Sequence, residues 1–146
     1  MPVSIAWSAG ATRLLALRLR PGEDLRGALE EAFAREPERA GFVAACVGSL
    51  ARAALRPAGR DEALVLEEPL EIVALSGTLS AQGPHLHLAG SRADATMAGG
   101  HLLHGCRVRT TAEVVLGLAS GVAFERPVDP ATGFRELALR PLARRP

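Results

Sequence analysis

Short β-strand patterns fill most of this 146-residue chain, and one amphipathic segment interrupts them. In residues 23–35, apolar side chains recur at helical spacing and charged side chains occupy the other positions. The acidic pair Glu23-Asp24 at its start suits the positive end of a helix dipole. Because one face of this helix must be covered, we predict an α+β fold. A curled antiparallel or mixed sheet of about seven to nine strands packs on one main helix.

The predicted strands are separated by turns rich in proline and glycine. The apolar run 41–56 is interrupted at Gly48, which predicts two strands with a kink between them. The run 106–118 alternates apolar and polar residues, so one of its faces is expected to be wet. The connection 57–68 has room for a short edge strand at 63–66. The remaining predicted strands are 13–20, 70–79, 85–91, 97–102, 120–125 and 134–139.

Length and charge narrow the classes of function. A chain of this size fits one domain, which we predict over 1–146, with 1–12 as an N-terminal arm and 140–146 as a basic tail. The net charge of +1 argues against the broad basic field of a nonspecific nucleic-acid binder. All 17 basic residues are arginine, which excludes lysine Schiff-base chemistry. Aromatic residues make up 3% of the chain, too few for base-stacking platforms.

The cysteines and the N-terminus indicate where the protein works. Cys46 and Cys106 lie in apolar, strand-like runs, and the first residues lack the charged and apolar regions of a signal peptide. We therefore expect free, buried thiols in a reducing cytoplasm. Since the apolar runs stop short of the roughly 18 residues that a membrane span needs, no membrane partner is predicted.

The histidines carry the strongest functional signal. Three of the four, His85, His87 and His101, fall within 17 positions. On a strand, His85 and His87 project to the same side about 6.5–7 Å apart, and two glycines before His101 allow its backbone to approach closely. Three histidines plus one free position are typical of a reactive zinc site rather than a structural one. The alternative is that His85 and His87 are polar residues on the exposed side of an amphipathic strand.

Two other polar residues, His104 and Glu113, are candidates for the same site. His104 follows His101 by three positions, so a strand would direct the two rings to opposite faces, and we leave His104 out. Glu113 lies on the wetter face of its strand and is the candidate catalytic residue, as general base or as support for a metal-bound water. A cross-strand ion pair with an arginine is the alternative for Glu113.

Five motifs follow one another along the chain: Val47-Gly48-Ser49-Leu50, the run 70–79, His85-Leu86-His87-Leu88, Gly99-Gly100-His101-Leu102 and the run 110–115. Together they resemble the plants-and-prokaryotes conserved (PPC) domain family over about residues 13–139. The resemblance implies a compact α+β domain, assembly as a homotrimer and a divalent metal, zinc above all, on the three histidines. The fold is also similar to that of acetolactate decarboxylase, a zinc enzyme with an HxH motif.

The same resemblance implies a DNA-binding role, by analogy with the plant members. Those proteins use an Arg-Gly-Arg-Pro hook that this sequence lacks. Arg144 and Arg145 in the basic tail are the candidate DNA contacts, with Arg18, Arg20 and Arg52 as further phosphate partners. Three functions stay open: a metal-binding, DNA-associated regulator, a metal-dependent enzyme acting on a small carbonyl compound, and an assembly module whose metal fastens strands.

Overall fold

The computed structural model describes residues 2–143. These residues contain nine strands and one α-helix, connected by turns and loops. The predicted α+β class is confirmed. The elements are β1 Thr12–Leu19, α1 Leu25–Ala34, β2 Ala40–Arg56, β3 Leu64–Leu66, β4 Leu70–Leu79, β5 His85–Ser91, β6 Met97–Leu102, β7 Arg107–Ala119, β8 Val122–Glu125 and β9 Ala138–Pro141. Among these residues no helix is both long and apolar enough to cross a membrane.

A curled antiparallel sheet organises the fold. Its strand order is β1-β7-β2-β4-β5-β6, β3 pairs with β2, and β8 and β9 form a separate hairpin. Strand β2 is 17 residues long, and its last residues also pair with β6, where Leu55 faces Leu102 and Arg56 faces His101. The sheet therefore closes on itself through β2, β4, β5 and β6.

The helix covers one face of the sheet. Leu25, Leu29 and Phe33 of α1 are buried in the main core, each contributing about 1.5–3 kcal/mol by burial. Asp24 caps the helix, since its Oδ1 accepts a hydrogen bond from the Gly27 amide at 2.8 Å. The amphipathic pattern thus predicts the helix correctly. The helix begins after its cap residue Asp24, whereas the predicted start is Glu23.

Two predicted strands need correction. The run 41–56 forms the single strand β2, because the irregularity at Gly48 is a shift of register against β7 between Gly48 and Leu50, and a bulge bends a strand without ending it. The strand predicted at 134–139 is observed as Ala138–Pro141. The residues before it belong to a turn, in which the Gly133 amide donates to the Asp129 carbonyl at 2.7 Å and the Glu136 amide to the Pro127 carbonyl at 3.0 Å.

The two cysteines are free thiols, as expected. Cys106 is fully buried, and its Sγ lies 3.2 Å from the Ala54 amide and 3.3 Å from the Ala54 carbonyl. Cys46 is half-buried, and burial raises the pKa of its thiol to about 11. Both thiols are therefore protonated at neutral pH and are poor nucleophiles.

Candidate metal centre

Strands β5 and β6 bring three histidine side chains together, and we call His85, His87 and His101 the histidine cluster. His85 and His87 point away from the core, while Leu86 and Leu88 between and beyond them are buried. His101 lies directly opposite His87 in the β5–β6 pairing. The three ring centroids are 4.5–5.2 Å apart, and one nitrogen from each ring lies within 4.8 Å of the others.

Two glycines allow the strands around the cluster to approach closely. Gly77 of β4 has a φ of 138°, and a Cβ there would lie 1.9 Å from the His85 carbonyl oxygen. A Cβ on Gly100 would lie 2.6 Å from the carbonyl oxygen of Arg56 on β2. A larger residue at Gly77 would push β4 away from β5, and a larger residue at Gly100 would push β6 away from β2. Either change would move the histidines.

The donor set fits a transition metal. Imidazole nitrogens suit zinc, copper, iron and nickel, whereas magnesium and calcium prefer oxygen ligands. Tetrahedral Zn–N bonds of about 2.0–2.1 Å require nitrogens roughly 3.3–3.4 Å apart. The nitrogens of the cluster, which lie within 4.8 Å of one another, would have to move closer together to reach that spacing.

The surroundings of the cluster favour neutral imidazole. Burial lowers the pKa of His85, and the nearby charge of Arg126 lowers it further. Burial also lowers the pKa of His101, with Arg56 as the next cause. A neutral ring keeps the lone pair that a metal needs, so both residues are held in the ligating form at neutral pH.

A pocket of about 830 Å³ opens beside His85 and His101. We call it the arginine pocket, because five of its lining residues are arginine and two are acidic. These seven are Arg26, Arg56, Arg60, Arg126, Arg135, Asp61 and Glu136. An excess of positive charge therefore faces the open side of the histidine cluster.

Arg126 contacts the histidine cluster, and sequence reasoning missed it. It follows β8 and is 6% exposed. Its Nη2 donates to Thr78 Oγ1 at 2.5 Å, and its Nη1 lies 3.4 Å from His85 Nδ1. The sequence offered one weak signal, an arginine directly after the apolar strand β8.

The other predicted site residues lie elsewhere. Glu113 is exposed on β7, opposite Arg18 and Val47, in a depression separate from the arginine pocket. Its role as a base stays a prediction that the arrangement within one chain does not favour. His104 follows β6, and its ring lies beside Asp24 and Glu30 of the helix region, away from the cluster, as expected. Arg144 and Arg145, the predicted DNA contacts, fall outside the described residues.

Comparison with known proteins places this geometry in context. The bifunctional protein GlmU of a Synechococcus strain is 48% identical over 134 residues, which are 92% of this chain. The chain spans 22% of that protein's length. A hypothetical protein from Salmonella cholerae-suis has the same fold, with a TM-score of 0.87 and 39% identity. The alignment covers 89% of this chain and 94% of the Salmonella chain.

A second solved structure has a similar fold. The metal-containing protein from Archaeoglobus fulgidus aligns with a TM-score of 0.74 and 30% identity, over 86% of this chain and 93% of the other. Residues 7–120 match the family model of the Plants and Prokaryotes Conserved domain. The matched residues include the helix, the whole main sheet and the histidine cluster. The chain therefore belongs to the Plants and Prokaryotes Conserved (PCC, or PPC) domain family.

Proposed function

We propose that this protein binds a divalent transition metal, zinc above all, through His85, His87 and His101. The observation that carries the proposal is the convergence of one nitrogen from each ring within 4.8 Å. Three protein ligands leave a coordination position for water or for a small molecule, as in reactive zinc sites. A metal held in this way supplies a Lewis acid or an activated water.

Two observations support the proposal independently of that spacing. Burial keeps His85 and His101 in the neutral, ligating form. The Archaeoglobus protein, 30% identical over most of both chains, is described as metal-containing.

Elemental analysis of protein purified without chelator tests the proposal. The parent is expected to carry about one zinc per chain, directly or after zinc is added and excess removed. A variant with His85→Ala, His87→Ala and His101→Ala is expected to carry none. His104→Ala is the matched control, because it removes the fourth histidine at a position outside the cluster, and it should keep the metal.

Two results would overturn the metal centre. One is a parent that stays empty after incubation with zinc. The other is a triple variant that retains as much zinc as the parent while far-ultraviolet circular dichroism shows that it is folded.

We also propose that the chain assembles as a homotrimer through the outer face of its sheet. On this face the register pairs Ala16 of β1 with Val115 of β7, and Val115 with Ala45 of β2. Leu14 and Val47 are 69% and 58% exposed. The charged residues Arg18 and Glu113 lie at one end of the same face, next to Val47. Exposed apolar residues grouped on one face, with charged residues at its border, are typical of a protein–protein contact.

Sedimentation equilibrium tests the assembly. The parent mass should be near three times the 15.3 kDa of one chain. Val47→Asp should lower it, because the substitution places a charge in the apolar surface. Val128→Asp adds the same charge at an exposed loop residue and should leave the mass unchanged. A monomeric parent would contradict the proposal.

DNA binding keeps less support from the described residues. Of the arginines proposed to contact phosphates, Arg52 is paired with Glu67 at 2.5 Å and donates to the Gly105 carbonyl at 2.7 Å. Arg18 and Arg20 are exposed. A gel shift that weakens steeply with salt, and that is lost in an Arg144→Gln, Arg145→Gln variant, would favour the regulatory function instead.

A further inference from the structure

Arg126 is a buried cation without an anionic partner in the part of the chain that is described. Arg126 is 6% exposed, and no carboxylate oxygen within residues 2–143 lies within 4.0 Å of its guanidinium group. Its Nε has no hydrogen-bond partner there either. Buried charges in proteins are usually paired, because an unpaired one loses its hydration without compensation.

The nearest acidic residue does not fill this role. Glu136 lines the same pocket and acts on Arg126 through its charge alone, without a hydrogen bond to it. Its Oε1 instead accepts a hydrogen bond from Thr132 at 3.1 Å. The guanidinium therefore keeps donor capacity for an anion from outside the chain.

A second arginine in the pocket is also free of ion pairs among the described residues. Arg56 Nη1 makes one long contact, 3.4 Å to the Arg60 carbonyl oxygen. Arg56 lies opposite His101 across the β2–β6 pairing, while Arg126 lies beside His85. The two arginines thus line the same pocket as His85 and His101.

We infer that the arginine pocket binds a small organic anion, whose carboxylate or phosphate group is held by Arg126 and Arg56 beside the histidine cluster. Guanidinium groups bind both kinds of anion through paired hydrogen bonds. The inference rests on the proposed metal centre in one respect: a second oxygen of the same molecule would be placed at the free coordination position. Arg126, Arg135 and Glu136 lie beyond the family match at 7–120, so they are features of this chain outside the matched region.

Isothermal titration calorimetry on the full chain, zinc-loaded and chelator-treated, tests the inference. The probes are inorganic phosphate, pyruvate and methyl pyruvate, the last being pyruvate without its charge. We expect saturable binding of at least one anion and none of the ester. Arg126→Gln should weaken anion binding by about 10-fold or more, since it removes a charge-assisted hydrogen bond. A preference for phosphate or for pyruvate identifies the anionic group.

Two further variants keep the test decisive if loss of Arg126 destabilises the fold. Arg56→Gln removes a half-buried arginine that has no ion pair to lose among the described residues, and it should also weaken anion binding. Arg92→Gln is the control, because Arg92 pairs with Glu68 at 2.8 Å outside the pocket. It should bind the anions as the parent does.

The outcomes separate this inference from the metal centre. Zinc binding without saturable anion binding overturns the inference and leaves the metal centre standing. Anion binding that is equal in parent, Arg126→Gln and Arg56→Gln also overturns it. Arginine-dependent anion binding in chelator-treated protein supports the pocket even if the parent takes up no zinc.

Discussion

His101 and His104 lie three residues apart and have opposite surroundings. The neighbours of His101 are two histidines and Arg56, and burial lowers its pKa. The neighbours of His104 are carboxylates: its Nδ1 lies 3.4 Å from Asp24 Oδ1 and its Nε2 lies 3.3 Å from Glu30 Oε2. The His101 ring is kept neutral beside two other histidines and an arginine. The His104 ring lies beside two carboxylates at the start of the helix.

The difference shows that residue type alone does not define a ligand. His101 is placed by a strand whose partner carries another histidine, whereas His104 follows the end of that strand and turns back to the helix cap. The neighbours decide which chemistry each imidazole can perform.

The largest contrast is expected in metal affinity. His87→Ala removes one of three ligands, so it should weaken zinc binding by more than about 100-fold, since even partners that only orient a ligand are worth 10–100-fold. His104→Ala should change the affinity by less than about 3-fold. Competition with a chromophoric chelator measures both constants. Equal losses in the two variants would place His104 in the site and contradict the comparison.

The next largest effect is expected at Asp24. Its Oδ1 accepts from the Gly27 amide and its Oδ2 from the Gly105 amide at 2.5 Å. Burial alone would raise the pKa of this carboxyl, but these hydrogen bonds outweigh it and hold the pKa below its usual value. Asp24→Ala leaves both amides without this acceptor and should lower the free energy of unfolding by about 1–3 kcal/mol.

Urea denaturation checks the Asp24 prediction. Asp94→Ala is the control, because Asp94 is exposed and bonds to Thr96 within one turn. It should stay within about 0.5 kcal/mol of the parent. Zinc content should be unchanged in Asp24→Ala, and a loss of metal there would link the helix cap to the histidine cluster.

A smaller effect is expected from pH on the metal-free protein. His85 and His101 have lowered pKa values when folded, so below the usual histidine pKa of about 6.5 the unfolded chain binds more protons than the native one. The free energy of unfolding should therefore fall as pH drops below about 6.5. His85→Gln should flatten this slope, because it removes one of the two groups whose pKa is lowered in the folded state. Denaturation at pH 5.5 and at pH 7.5 measures how the free energy of unfolding depends on pH. A dependence in His85→Gln equal to that of the parent would contradict the prediction.

The smallest effect is expected for the stability of His104→Ala. The side chain of His104 is 60% exposed, and exposed pairs with carboxylates contribute about 0–1 kcal/mol. Urea denaturation at pH 7 should show a change below about 0.5 kcal/mol. A cost as large as that of Asp24→Ala would mean that His104 is part of the cap.

Local patterns explain what the sequence could predict. Alternation along residues 85–91 marks that strand correctly, and the spacing of His85 and His87 with the glycines before His101 predicts that the three rings meet. The helix follows from its periodic apolar residues and from Asp24. Each of these signals lies within a few residues of the feature that it predicts.

The features that the sequence could not predict depend on distant packing. Arg126 is buried because the segment after β8 contacts Gln82 and Thr78, more than 40 positions earlier in the chain. Glu113 looks like a base by its polar surroundings along β7, but the strand order separates its strand from β5. The placement of β9 depends on the turn that ends before it.

The pairing of β6 with β2 also affects the motions of the histidine strand. Strand β5 has a hydrogen-bonded neighbour on each side, and β6 joins β2 at the position of His101, so neither element frays there as a free edge would. Amide protons of β5 should therefore exchange with solvent only through large-scale opening of the sheet. The backbone positions of the three histidines should therefore stay in place whether or not a metal is bound.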